Sequence, residues 1–189
     1  MGTDRPLRAD AARNRARVLE VAYDLFAEQG PGVPIDEIAR RAGVGPGTVY
    51  RHFPTKESLF EAVIEDRVRS IVDKARAQLA ADPTTALFEF LYDAVRTGSV
   101  DHGMVEAMAG YGVDMDTAAP GAEAAFLGVL TDLLAAGQQA GTVRTDIGVA
   151  EVKVLLTMCK ASQRHGEGVA DRLAAVIADG LRPRPSEPG

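Results

Sequence analysis

Residues 35–63 read IDEIARRAGVGPGTVYRHFPTKESLFEAV, and the offsets within this stretch decide the fold. Two short helical segments, 35–42 and 48–52, lie on either side of the breaker Gly43-Val44-Gly45, where glycine admits backbone that other residues avoid. Ile35 and Ile38 face a core, and Ala39, small and unbranched, lets the two helices cross closely. Gly43 supplies the tight turn. Val44 and Val49 fill the angle between the helices from the far side. Pro46 suits the first turn of the second helix, which ends near Phe53-Pro54 because a residue before proline disfavours helical backbone. This is the pattern of a helix-turn-helix, whose second helix is held outward as a rigid probe suited to a major groove.

Helical patterning continues on both sides. Upstream, residues 11–29 place Ala12, Val18, Leu19, Ala22, Leu25 and Phe26 on one face, with Arg13, Arg17, Glu20, Asp24 and Glu28 mostly off it. Gly30-Pro31-Gly32-Val33-Pro34 then stops that helix. Downstream, Thr55 is placed to cap a long helix, with Glu57 and Glu61 near the positive end of its dipole. Apolar residues from Leu59 to Leu79 persist at helical spacing up to Asp82-Pro83, a length that suits a connecting rod. Further helical patterns cover about 83–97, 105–109, 121–140, 147–164 and 169–181, and no strand-like alternation of useful length occurs. The expectation is an all-α protein. Residues 1–55 would form the helix-turn-helix domain and 56–181 a second helical domain, with 56–81 as the connecting helix and 182–189 a disordered tail.

The 189 residues are 46% hydrophobic, enough to build a core. No run reaches the roughly 18 apolar residues of a membrane span, and the charged N-terminus has no apolar stretch behind it to act as a signal peptide. No membrane association and a cytoplasmic location are therefore expected. The single cysteine, Cys159, excludes an internal disulfide and a thiolate-only metal cage, and its apolar neighbours Leu155, Leu156 and Met158 favour an inert thiol. No cofactor or metal is expected. The net charge of −6 is unevenly distributed: residues 1–60 carry nine Lys and Arg against eight Asp and Glu, the remainder twelve against nineteen. Arg5, Arg8, Arg13, Arg15 and Arg17 form a basic cluster at the front of the chain, which could serve DNA or simply be a solvated helix face.

The outward face of the second short helix carries the chemistry of a DNA probe. Thr48, Tyr50, Arg51 and His52 can all donate hydrogen bonds to phosphates or bases. A guanidinium such as that of Arg51 can pair with guanine O6 and N7, worth roughly 1–3 kcal/mol of discrimination, or hold a phosphate without reading sequence. Lys56, at the start of the long helix, combines a charge with free backbone N–H groups, which suits a phosphate.

The run 35–63, with the preceding Leu25-Phe26-Ala27-Glu28-Gln29-Gly30, resembles the DNA-binding segment of the tetracycline-repressor (TetR/AcrR) family, which shares Ile-Ala, Ala-Gly-Val, Gly-Thr-Val-Tyr, His-Phe and Lys-Glu at these offsets. The resemblance covers about the first third of the chain. It implies about nine helices, a homodimer, double-stranded DNA as partner, and a C-terminal domain whose small ligand alters DNA affinity, most often as a repressor released by ligand. By the same resemblance Thr48, Tyr50 and His52 match phosphate contacts, Arg51 the variable reading position and Lys56 a backbone clamp. Arg13 and its neighbours resemble the arm that some members lay along DNA. Two residues depart from the pattern. Pro34 stands where many members have a phosphate-gripping threonine, and Pro46 where many have Ser, Lys or Arg, so recognition at the helix start would rest on Gly45 and Gly47 permitting close backbone approach.

Beyond about residue 80 the sequence is less specific. Phe88, Leu91, Tyr92, Met104, Met108, Tyr111, Phe126 and Met158 could line a pocket for an apolar or amphipathic ligand, or could simply pack. In the resembling family the last two long helices form a four-helix interface with the partner chain. Here that would draw on Val152, Leu155, Leu156 and Cys159 with Leu173, Val176 and Ile177. An enzyme is disfavoured: no HExxH, paired cysteines, Gly-rich phosphate loop or nucleophile elbow occurs, and no catalytic residue is assigned. A purely architectural DNA binder would carry a far more basic surface than the acidic C-terminal part allows.

Overall fold

The structure is a computed structural model and describes residues 4–30, 32–95, 121–162 and 167–183. Among them are eight helices and no strand: α1 (Asp4–Gln29), α2 (Ile35–Ala42), α3 (Pro46–His52), α4 (Lys56–Ala81), α5 (86–95), α6 (Ala122–Gln139), α7 (Val149–Ser162) and α8 (Glu167–Leu181). The all-α class is as expected. The short helical pattern expected at 105–109 lies outside the described residues.

Two compact units divide within α4, after Arg67. In the first, α1 packs on α2 and α3. Val18, Leu19, Ala22, Leu25 and Phe26 form its buried stripe, joined by Ile35, Ile38, Ala39 and Ala42, by Val49 and Phe53, and by Leu59, Phe60, Val63 and Ile64 of α4. The rings of Phe26 and Phe60 meet at 5.3 Å in a tilted pair. The apolar face of α1 starts later than its pattern suggests, because Ala12 is exposed and burial begins at Val18. The helix itself starts earlier, at Asp4 instead of 11, since Pro6 falls within its first turn, where the missing N–H costs no hydrogen bond.

The second unit is a separate helical core. Val72 and Ala75 of α4 meet Leu87, Phe90 and Leu91 of α5, Leu130, Leu133 and Leu134 of α6, Val152 and Leu156 of α7, and Ala174, Ile177 and Leu181 of α8. Arg144 ties the end of α8 to the loop before α7, its backbone N–H donating to Leu181 O at 2.9 Å and its guanidinium to Asp146. Packing extends past the expected end at residue 181, since the Arg182 guanidinium lies 5.6 Å over the Phe88 ring. The rest of the expected tail, 184–189, lies outside the described residues.

Glycines end α2 and α6 by the same device. At α2, Gly43 takes φ +68°, its N–H donates to Arg40 O, and the N–H of Val44 donates to Ala39 O at 3.0 Å, a Schellman closure. At α6, Gly141 takes φ +71°, with Gly141 N–H donating to Gln138 O and Thr142 N–H to Gly137 O. Gly137 is demanded for a different reason: a Cβ there would stand 2.5 Å from the Cγ2 of buried Val143.

These two causes give different expectations. Gly43→Ala has room for its methyl but is forced into left-handed backbone, and should destabilise the protein by about 1–2 kcal/mol. Gly137→Ala keeps easy backbone and gains helix propensity, but overpacks Val143, so a net loss of about 1 kcal/mol is expected. Urea unfolding of each variant checks both. A Gly43→Asn variant, better suited to positive φ, should recover part of the first loss.

Candidate nucleic-acid interface

The interface is built outward from the α2–α3 turn. Pro34 is the N-cap of α2 with φ −64° and ψ 143°, and its side chain makes no capping hydrogen bond. Asp36 and Glu37 stand in the first turn of α2 and Arg40 and Arg41 in its last, each sign at the helix end that favours it. The chain re-enters helix with Gly45 as N-cap and Pro46 in the first turn of α3. Val49 is the single buried residue of α3, at 0% exposure. Every other side chain of this helix is therefore at least partly open to solvent: Pro46, Tyr50 and Arg51 are exposed, Thr48 and His52 half-buried. Gly47 is exposed as well, and a Cβ at Gly45 or Gly47 would meet nothing within 4 Å. Internal packing therefore does not explain these two glycines.

Phe53 closes α3, its N–H donating to Val49 O at 2.8 Å, and is buried to 2% exposure. Thr55 then opens α4 through a reciprocal cap. The Ser58 N–H donates to Thr55 Oγ1 and the Thr55 N–H donates to Ser58 Oγ, both at 3.1 Å. Serine here does the work more often done by Glu or Gln. This cap sets Lys56 at the first residue of α4, where partial burial pushes its ammonium below the ordinary lysine pKa against the upward pull of Glu57.

Charge pairing separates the basic residues into two groups. Arg13 is bound to Asp10, Arg40 to Glu37, and Arg41 to both Glu37 at 3.3 Å and Glu28 at 3.7 Å. The Arg40 and Arg41 guanidinium groups hold the Glu37 carboxyl below its usual range. Arg51 and Lys56 have no ion pair among the described residues, nor does Arg15, whose guanidinium lies 5.4 Å over the Phe53 ring. Pro46, Gly47, Tyr50 and Arg51 are thus the exposed positions of one short helix, with Thr48 and His52 half-buried on it and Lys56 just beyond its end. Arg13 lies apart on α1, already engaged by an acid. The sequence places Arg15 only within a cluster of five arginines and gives no sign of its contact with Phe53, because that ring lies on a different element and no local spacing links the two.

Comparison with known proteins agrees with this geometry. Residues 18–63 match the family described as bacterial regulatory proteins, tetR family, and residues 82–183 match the family described as transcriptional regulator SbtR-like, C-terminal domain. A crystal structure of a TetR transcription regulatory protein from Mycobacterium vanbaalenii superposes with a TM-score of 0.82 at 62% identity, over 94% of this chain and 100% of that one. A TetR transcriptional regulator from Streptomyces coelicolor gives a TM-score of 0.77 at 30% identity, over 90% and 99%. An HTH-type transcriptional regulator from Staphylococcus aureus is 43% identical over 60 residues, 31% of this chain and 32% of its own length. The chain belongs to the TetR family. Its first unit is the DNA-binding helix-turn-helix of a transcriptional regulator.

Five of the expected pocket residues of this TetR-family protein, Phe88, Leu91, Tyr92, Phe126 and Met158, lie among the described residues. Leu91 is buried in the core, while Phe88 and Phe126 are half-buried against it, Phe126 beside the Phe90 ring at 6.2 Å. Tyr92 is 39% and Met158 55% exposed. Met104, Met108 and Tyr111 lie outside the described residues. An open groove of about 600 Å³ is lined by Thr84, Thr85, Phe88, Gly141, Thr142, Arg182 and Pro183, so Phe88 alone of the expected set borders it. Among the residues expected at a dimer interface, Val152, Leu156 and Ile177 are buried inside the chain's own core and Leu155 and Leu173 are half-buried, whereas Val176 is 67% exposed. The side chain of Cys159 lies outside what the structure describes. Val154, Met158 and Val169 are exposed apolar residues on α7 and α8, beyond the set expected at an interface. No helix among the described residues is long and apolar enough to cross a membrane.

Because the Thr55–Ser58 cap sets the start of α4, Thr55→Ala should destabilise the protein by about 1 kcal/mol, with Thr55→Asp restoring most of that stability. Thermal unfolding of the two variants measures this, and equal stability of Thr55→Ala and the parent would show that the cap contributes nothing.

Proposed function

We propose that this protein is a homodimeric, ligand-responsive repressor that holds a palindromic operator with one α3 in each of two successive major grooves. The observation that carries the reading is α3 itself, a helix with one side chain buried and its polar residues turned outward. Arg51 reads a base, guanine by preference. Thr48, Tyr50, His52 and Lys56 fix position on phosphates, and Pro46 and Gly47 let the helix start approach the duplex closely. Arg13, paired with Asp10 through one guanidinium nitrogen, can add a backbone contact with its remaining donors.

A dimer is supported by the exposed apolar residues of α7 and α8. Val154 and Met158 are four apart and Val169 and Val176 seven apart, so each pair lies along one face of its helix. A twofold pair would set the two probes about 34–36 Å apart or somewhat more, and one probe alone carries little net charge. The inducer would be a small apolar or amphipathic molecule in the C-terminal unit, as membership of the family supports. Phe88, Leu91, Tyr92, Phe126 and Met158, with Met104, Met108 and Tyr111, remain the residues proposed to meet it.

A labelled duplex from the region upstream of its own reading frame should bind with affinity that falls steeply with salt. Arg51→Ala should relax base preference more than affinity. Tyr50→Phe and Lys56→Ala should instead weaken every sequence alike, and the salt slope should fall by at most about one unit for each phosphate that is no longer held. Binding that ignores salt would sink the proposal. Met158→Asp with Val176→Asp should turn a dimer into a monomer in analytical ultracentrifugation and abolish operator binding, and an unchanged sedimentation coefficient would remove that face from the interface.

A further inference from the structure

The contact between Arg15 and Phe53 links α1 to the turn that follows α3, and nothing in the helix-turn-helix pattern calls for it. The guanidinium carbon stands 5.4 Å from the ring centroid, and Arg15 is half-buried while Phe53 is almost fully so. Arg15 has no hydrogen bond or ion pair among the described residues, although acids neutralise Arg13, Arg40 and Arg41 around it in the same unit. Attraction to a ring face uses the positive charge and none of the five N–H donors. A long side chain has thus been fixed in one place, its donors still unspent, at the turn between Arg51 and Lys56.

We propose that Arg15 is a DNA-backbone contact, pre-positioned by Phe53, that extends the phosphate grip of α3 and α4 onto α1. It rests on the reading of α3 as the DNA-facing helix. An exposed arginine gives up much of its rotamer freedom when it grips a phosphate; here the ring has already restricted it, so binding costs less entropy. The fork of donors matches a phosphate, and a phosphate contact carries no sequence information. Arg17, two residues on, points about 200° away around α1 and does not share the site. Phe53 acts here as a positioning residue, through Arg15.

The test titrates labelled duplex, both the upstream region and a random sequence of equal length, at several salt concentrations. Arg15→Gln should weaken binding about tenfold or more on both duplexes, leave the preference between them unchanged, and reduce the slope of log K against log salt by about two for a dimer. Arg15→Lys keeps the charge and should keep the slope. Phe53→Leu keeps the core filled but removes the ring. It should weaken binding in the parent and do so much less in the Arg15→Gln background, because the ring then has nothing to position. An unchanged slope in Arg15→Gln, an equal drop in slope in Arg15→Lys, or a Phe53→Leu effect that is the same in both backgrounds would overturn the proposal while leaving operator binding intact. Failure of the parent protein to bind either duplex would overturn the DNA reading together with this one.

Discussion

A helix of seven residues has no stability of its own in water, where even good helix formers need roughly 12–15 residues to be marginal. Yet α3 must keep its shape while showing nearly all of its surface to the solvent. It does so through Val49, buried to 0% exposure, through the left-handed turn at Gly43 that aims it, and through Phe53, which closes its last turn and is itself buried. Each fixes a different end or side of the helix. The polar outer face is therefore rigid without any of its own residues being used for rigidity, which is what a probe of DNA requires.

Electrostatics follow from the same division of labour. The helix-turn-helix unit holds several arginines, but acids on α1 and α2 already engage Arg13, Arg40 and Arg41. Such exposed pairs contribute little to stability; their larger effect is to remove positive charge from surfaces other than the probe. Arg51 and Lys56, at α3 and the start of α4, are left without an acid partner among the described residues, as is Arg15 on α1. A nearly neutral unit can thereby present a locally positive surface, and the acidic second unit does not argue against a polyanion partner.

The second unit is satisfied differently. Its core uses the apolar residues of α7 and α8 that the sequence pattern assigned to a partner chain: Val152, Leu156 and Ile177 face inward. What remains outside is a smaller set, Val154, Met158, Val169 and Val176. Helical periodicity shows that a helix has an apolar stripe, but with stripes on more than one side it does not tell which side meets the chain's own core.

The sequence by itself determined the all-α class, most helix limits and the helix-turn-helix, because these depend on short-range rules: glycine at positive φ, proline in a first turn, apolar residues at helical spacing. Ile35–Ala42 was legible to the residue, since Pro34 and Gly43 bound it. The burial of Val49 and the exposure of Tyr50 and Arg51 were legible from the same short-range pattern, a short helix with one aliphatic residue. Only the tertiary structure decided that Arg41 also reaches Glu28, that Arg15 rests on Phe53, that Ala12 is exposed, and which faces of α7 and α8 are already used. Each of these depends on side chains from different elements meeting in space, and the distance along the chain between Arg15 and Phe53 carries no trace of the 5.4 Å between them.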